Sequence, residues 1–380
     1  MNVICAGTTV LDGKVCRPGW LAISGRRISE CGPGIPPRPA DVDLPDAVVV
    51  PGFVDMHVHG GGGAWYTDGR SDEIAAAAAF HLRHGTTTTL ASLVTAGPAE
   101  LLAAVGDLAE ATRAGVIAGI HVEGPWLSRA RCGAHDPAQL RNPEVVEIDA
   151  VLAAGDGAIR MVTLAPELPG STAAIRRFRD AEVVVAVGHT DATYEQTSRA
   201  IAEGVTVGTH LFNAMRPLHH REPGPVLALL QDPRVTLELI ADGVHVHPAL
   251  VQAVIEAAGP DRVALVTDAA AAAGCPDGSF RFGPQQLDVV AGVARVRGTA
   301  TLAGSTATMD RLFRTVAALA SDPDQGLAAA VRMASTTPAR ALGFGHVGSL
   351  RSGLDANLVV LNQELQVQAV MANGDWVSES

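Results

Sequence analysis

The chain has no run of about 18 apolar residues, so no part of it reads as a membrane span. A basic stripe is also missing. With 28 Lys and Arg against 40 Asp and Glu the formal charge is −12, which argues against nucleic acid or a membrane surface as partner. The start, Met1-Asn2-Val3-Ile4-Cys5, lacks the basic and apolar regions of a signal peptide. Cysteine is scarce. Cys5, Cys16, Cys31, Cys132 and Cys275 are odd in number and scattered, so they suit neither a disulfide framework nor a CxxC zinc knuckle, and a reducing cytoplasm is the expected compartment. Charged residues make up only 18% against 47% hydrophobic, so the 380 residues read as globular, enough for one large domain and a small one.

Residues 2 to 50 read as short strands broken by turns at Asp12-Gly13, Ser24-Gly25 and the breaker cluster Gly32-Pro33-Gly34-Ile35-Pro36-Pro37. From Pro51-Gly52 onward, β-rich runs alternate with Ala/Leu-rich helical stretches. The runs are 53–59, 86–94, 116–123, 159–166, 183–189, 205–211, 235–242 and 263–268. Ser71 can cap a helix that stops at Gly85, and Pro98 opens one with Leu101, Leu102, Val105 and Leu108 on a single face. Strand–helix alternation of this regularity predicts parallel strands with crossover helices, and eight units predict an α/β fold of the (β/α)₈ TIM-type barrel. After Leu342 strand-like stretches return at 357–361 and 367–371. A small, sandwich-like β domain of 1–51 plus 343–380, beside a barrel of 52–342, is therefore expected.

Catalytic groups of such a barrel gather at the C-terminal ends of its strands. Run one ends in His57-Val58-His59, run three in Glu123, run five in His189, run six in His210 and run eight in Asp268. On a strand, residues i and i+2 point the same way, so His57 and His59 can reach one ion. Imidazole and carboxylate suit zinc, iron or manganese, and a hydrolytic ion needs an open position for water. Taken singly, each has a plainer reading: an HxH is a weak signal, Asp268 could cap the following helix, and His189 could be a rim histidine. Five strands ending in such groups at one rim point to a divalent metal site.

On these residues the chain resembles the amidohydrolase superfamily, and within it the N-acetylglucosamine-6-phosphate deacetylases. The matching segments, quoted in order, begin with Pro51-Gly52-Phe53-Val54-Asp55-Met56-His57-Val58-His59-Gly60, His121-Val122-Glu123-Gly124-Pro125-Trp126 and Gly188-His189-Thr190. They continue through His210-Leu211-Phe212-Asn213-Ala214-Met215, Arg221-Glu222-Pro223-Gly224, Asp242-Gly243-Val244-His245, Val266-Thr267-Asp268-Ala269 and Leu302-Ala303-Gly304-Ser305. The first of these identifies only the superfamily, whereas the second and fourth are more specific. Many relatives carry a carboxylated lysine on the fourth strand, but run four has no lysine, and the resemblance to the deacetylases implies Glu123, at the end of run three, as the carboxylate ligand instead.

The resemblance implies one or two divalent ions per subunit, zinc first, with iron or another transition metal as alternatives. His189, His210 and Glu123 would hold the principal ion, and His57, His59 and Glu123 a second. Asp268 would take a proton from the attacking water and return it to the departing amine, while His135 in Gly133-Ala134-His135 would steady the acetamide oxygen. Ala134, Asn213, Ala214, Asp242, His245, Leu302, Ala303 and Gly304 correspond to substrate contacts. Arg221 corresponds to a phosphate contact supplied across a homodimer, although without its flanking motif it would read as a solvated surface arginine. The small-molecule partner implied is an amino-sugar phosphate, with acetate as the second product.

Other residues carry less. His121 reads as supporting or packing rather than ligating, and His219, His220 and His247 as loop residues. Cys132 reads as an exposed bystander where the family often has lysine nearby, while Trp65 and Trp126 either line the pocket or pack loops. Two competing readings are a D-aminoacylase or dihydroorotase-like hydrolase, disfavoured by the missing lysine and the Arg221 segment, and a non-catalytic barrel, disfavoured by the intact ligand set.

Overall fold

The computed structural model describes residues 2–67, 70–283 and 285–378. Eight strands lie in chain order in one sheet: β1 (Phe53–Asp55), β2 (Thr86–Leu93), β3 (Gly119–Glu123), β4 (Ile159–Leu164), β5 (Val184–Val187), β6 (Val207–Gly208), β7 (Thr236–Leu239) and β8 (Val263–Leu265). The pairings from β2 through β8 are parallel, with registers such as His121↔Met161 and Leu239↔Leu265. These strands are buried almost throughout, which is why they read as continuous apolar runs rather than as alternating ones. Past the regular ladder, Asp268 N donates to His57 O at 2.8 Å and His59 N to Ala269 O at 2.9 Å. The segments following β1 and β8 are thereby joined, and the barrel is nearly closed.

Each strand is followed by a helix, from Ser71–Arg83 and Pro98–Arg113 to Pro248–Ala258 and Met309–Ala317. Pro98 occupies the first turn of its helix, where the missing N–H costs nothing, and Leu101, Val105 and Leu108 are buried while Leu102 is only half-buried. Thr193 and Gln196 form a reciprocal cap on Tyr194–Glu203. An antiparallel three-stranded sheet, Gly278–Phe282, Gln285–Val290 and Val293–Val296, interrupts the chain between β8 and its helix. Nothing in the sequence reading anticipated it.

The expected pairing of the chain's two ends is present. Leu358–Leu361 runs antiparallel to Val42–Pro51, with Val360 opposite Val49, within an eight-stranded sheet that also holds Asn2–Leu11, Gly19–Ser24 and Val367–Ala372. Ile4, Leu21, Ile23, Ile28, Val49, Leu358 and Val360 form its apolar core. Asp12 and Gly13 both adopt positive φ, 46° and 76°, which is the geometry of a tight hairpin turn of matching twist. The chain divides into two compact units, one of Met1–Asp55, Ala79–Thr88 and Thr308–Ser380 and the other of Met56–Ala78 and Thr89–Ala307. All the residues of the cluster described next belong to the second unit. Among the described residues no helix is long and apolar enough to cross a membrane.

Candidate functional site

At or just beyond the ends of β1, β3, β5, β6 and β8 the six side chains picked out from the sequence converge. Nε2 of His57 lies 3.2 Å from Nε2 of His59. Glu123 faces both halves of the cluster. Its Oε1 is 3.1 Å from Nε2 of His189 and 3.1 Å from Nε2 of His210, and its Oε2 is 3.2 Å from Nε2 of His59 and 3.5 Å from that of His57. Asp268 Oδ1 stands 3.2 Å from Nε2 of His59. His57, His59 and Glu123 form one group whose ligand atoms lie within 4.8 Å of one another, and Glu123, His189 and His210 form another.

The local backbone that achieves this is unusual. His189, His210 and Asp268 have φ of 46°, 26° and 46°, in the left-handed region that residues other than glycine avoid. Each follows the end of its strand by two or three residues, where the chain leaves the sheet, and strain of this kind gathers at functional sites. His57 and His59 also lie past the regular strand, which stops at Asp55. Both rings still turn toward the same cluster, and the segment stays tied in, with Ser92 N donating to Val58 O at 2.9 Å.

The second nitrogen of each ring settles what the first can do. Nδ1 of His59 donates to Ser92 O at 3.1 Å, Nδ1 of His189 to Arg131 O at 2.9 Å, and Nδ1 of His57 to a Glu238 carboxylate oxygen at 3.0 Å. Carbonyls and carboxylates only accept, so these three rings carry a proton on Nδ1 and, when neutral, turn bare Nε2 lone pairs inward. His135 is arranged the other way. Thr95 N donates to its Nδ1 at 3.2 Å, with the Thr95 hydroxyl 2.8 Å away, which leaves the proton on Nε2, 3.3 Å from Glu123 Oε2. Three rings are thus set up as lone-pair ligands and one as a donor.

Lone pairs facing each other beside buried carboxylates require positive charge between them, and the titration behaviour agrees. Burial pushes His57 down, but Glu123, Glu238 and Asp268 outweigh it and hold the ring well above the usual imidazole range. His59 and His210 are raised through the same contest between burial and the carboxylates. His189, dominated by burial and then by His135, falls to about 4. Glu123, which burial alone would raise, is held well below its usual range by His57, His135 and His189, and Asp268 is lowered by His57 and His59 against burial. Nitrogen and oxygen donors in this arrangement fit a divalent metal.

A cavity of about 220 Å³ opens over the cluster, lined by His59, Glu123, His135, His189, His210 and Asp268, with Ala134, Asn213, Ala214, His245, Leu302 and Gly304 around them. Residues 48–377 match the amidohydrolase family. The chain belongs to that family. It is 53% identical to N-acetyl-D-glucosamine-6-phosphate deacetylase from Mycobacterium smegmatis, with 100% of both chains covered and a TM-score of 0.98. A mutant of that deacetylase in complex with N-acetyl-D-glucosamine-6-phosphate is 54% identical, covering 99% of this chain and 98% of the other at a TM-score of 0.97. N-acetylgalactosamine-6-phosphate deacetylase of Escherichia coli O157:H7 is 38% identical over 95% of this chain and 96% of the relative. As a member of this amidohydrolase group the chain is a hydrolase acting on an amide.

Some of the expected contacts stand elsewhere. Arg221 is exposed, 2.8 Å from His220, and is not among the residues lining the cavity. Asp242 sits behind His245, its Oδ2 2.8 Å from Nδ1 of that ring, and Ala303 is fully buried in the apolar cluster around Trp65 and Phe282. The backbone N–H of Asn213 is already given to His210 O at 3.0 Å. His121 is bonded at both nitrogens, to Ser92 at 2.9 Å and Thr163 at 2.8 Å, and packs edge-on against His57. Trp65 and Trp126 pack rather than line the cavity, Trp126 against Phe178 with its N–H given to Glu147. Cys132 is half-buried rather than exposed.

Three residues the sequence reading passed over belong to the site. Phe282 and Thr301 line the cavity, and Glu238 bonds His57. Only Glu238 left a trace in the sequence, as a lone acid in the apolar run Val235-Thr236-Leu237-Glu238-Leu239-Ile240.

Proposed function

We propose that the chain is a metal-dependent deacetylase that hydrolyses the acetamide of N-acetyl-D-glucosamine 6-phosphate to D-glucosamine 6-phosphate and acetate, in amino-sugar catabolism or recycling. The observation that carries this is the pair of His/Glu ligand groups sharing Glu123, with Asp268 alongside at 3.2 Å from His59, in a chain 54% identical to a deacetylase that holds this sugar phosphate. His189, His210 and Glu123 would hold one ion, and His57, His59 and Glu123 a second. Zinc suits the donor set first and iron next. When bound, such an ion would supply Lewis-acid chemistry, lowering the pKa of water toward neutrality and polarising a carbonyl oxygen.

The chain's own residues supply the rest. Asp268, ionised and at the cavity wall, accepts the proton of the attacking water and returns it to the amine as the carbon–nitrogen bond breaks. His135, with its proton on Nε2, is the donor suited to the oxygen that gains charge. His245, held by Asp242, Leu302 and Gly304 border the space left for the sugar.

No lysine or arginine lines the cavity among the described residues, so a phosphate dianion needs a cation from outside it. Arg221 of a second copy in a homodimer is the candidate that the sequence offers. We also take the working protein to be cytoplasmic, and its domains to be 1–51 plus 343–380 and 52–342.

Acetate release measured on N-acetylglucosamine 6-phosphate, its galactosamine epimer, unphosphorylated N-acetylglucosamine and N-acetyl amino acids tests the reading. The expected order puts the glucosamine phosphate first, and preference for the epimer or for an amino acid would replace the proposed substrate.

A further inference from the structure

Glu238 is the one acid on strand β7 and is fully shielded from solvent, a placement that is unfavourable unless the charge is met. What meets it is the ligand cluster. Its Oε2 accepts from Nδ1 of His57 at 3.0 Å and from the backbone N of His210 at 3.0 Å, while its own carbonyl accepts from Leu211 N at 2.9 Å. Its Oε1 has no hydrogen-bond partner among the described residues. One oxygen therefore touches a ring of the first ligand group and the backbone of the second, and it does so at His210, where φ of 26° takes the chain through a strained turn.

We propose that Glu238 is a positioning residue of the metal centre, one that keeps the proton of His57 on Nδ1 and so presents the Nε2 lone pair to the His57–His59–Glu123 group. A carboxylate accepts and never donates, so it admits only the ring form with hydrogen on Nδ1. The N–H of His210 holds the same oxygen, so the acceptor is itself fixed in place. His121 packs against the same ring, centroids 4.5 Å apart and planes at 78°. Outer partners of this kind typically alter metal affinity by about 10- to 100-fold.

This inference rests on the metal reading above, and the test separates the two. Ion binding is measured by competition with a chromophoric zinc chelator on wild type, Glu238→Gln, His57→Ala and the double variant, each checked for folding in the metal-free state. Wild type is expected to bind an ion at the His57 group, and Glu238→Gln to weaken that ion by about 10- to 100-fold. In the His57→Ala background Glu238→Gln is expected to remove nothing further, since it acts through that ring. A wild type that binds no ion at either group overturns the metal reading; an ion at Glu123, His189 and His210 alone overturns the second ion, and this inference with it. Wild-type affinity in Glu238→Gln, or added loss on top of His57→Ala, overturns the role of Glu238 alone. If Glu238→Gln does not fold, nitrogen-15 spectra of the zinc-loaded wild type decide: a protonated Nδ1 on His57 supports the role and a protonated Nε2 overturns it.

Discussion

His57 and His59 point their Nε2 atoms at one another across 3.2 Å while the Nδ1 of each is already spent on an acceptor of its own. Two neutral rings held this way repel, and only a proton or a metal ion between them turns the arrangement into an attraction. The carboxylates around them supply the negative charge that either would answer.

Ion uptake should therefore release protons. His57, His59 and His210 have raised affinities for protons, so a bound ion displaces protons from them, and affinity should weaken as pH falls through their range. Titration calorimetry in buffers of different ionisation enthalpy reads the protons released per ion. His57→Ala should keep the ion at Glu123, His189 and His210 and lose the other, as metal analysis of the purified variant would show.

Asp268→Asn keeps the shape of the side chain and removes its ability to take a proton. Turnover should fall by at least about 10²-fold while substrate still binds. Near-normal turnover with unchanged metal content would exclude Asp268 as the proton carrier.

Arg221→Ala should weaken the phosphorylated substrate by about tenfold to a hundredfold or more, corresponding to roughly 1.5–3 kcal/mol for a charge-assisted contact, and barely affect unphosphorylated N-acetylglucosamine. Mixed dimers of Arg221→Ala with Asp268→Asn should regain activity, because one of their two sites then has both native groups. Verified heterodimers without activity would place the arginine in its own subunit or away from the phosphate.

Asp310 offers a test of stability rather than catalysis. It is buried, 2.7 Å from Arg314 and 3.3 Å from His84, and hydrogen bonds from His84, Thr308 and Arg314 hold its carboxyl well below the usual range against the effect of burial. A depressed carboxyl stabilises the fold above its unfolded pKa of about 4 and loses that contribution as pH falls toward the folded value. Asp310→Asn should cost about 1–3 kcal/mol at neutral pH, and the gap in unfolding free energy from wild type should narrow under acid.

The barrel was legible because each run of Val, Ile, Leu and Thr is buried on both faces and is followed by a helical pattern with its own start and stop. The candidate ligands were legible because they end those runs: His189, His210 and Asp268 stand where the chain leaves the sheet. Glu238 was hidden by the same logic, since an acid inside an apolar strand departs from the pattern that defines the strand. Phe282 and Thr301 come from the antiparallel insertion at 278–296 and the segment after it, whose contacts depend on a fold no local period announces. Asp242 and His245 share one segment, and sequence cannot say which faces the cavity. The structure gives that place to His245.

The most direct measurement is acetate release from N-acetylglucosamine 6-phosphate by protein verified free of metal, before and after adding back one divalent transition metal at a time. The expected result is no turnover without metal and recovery with zinc, iron or a neighbouring ion. Full activity in the metal-free protein would contradict it.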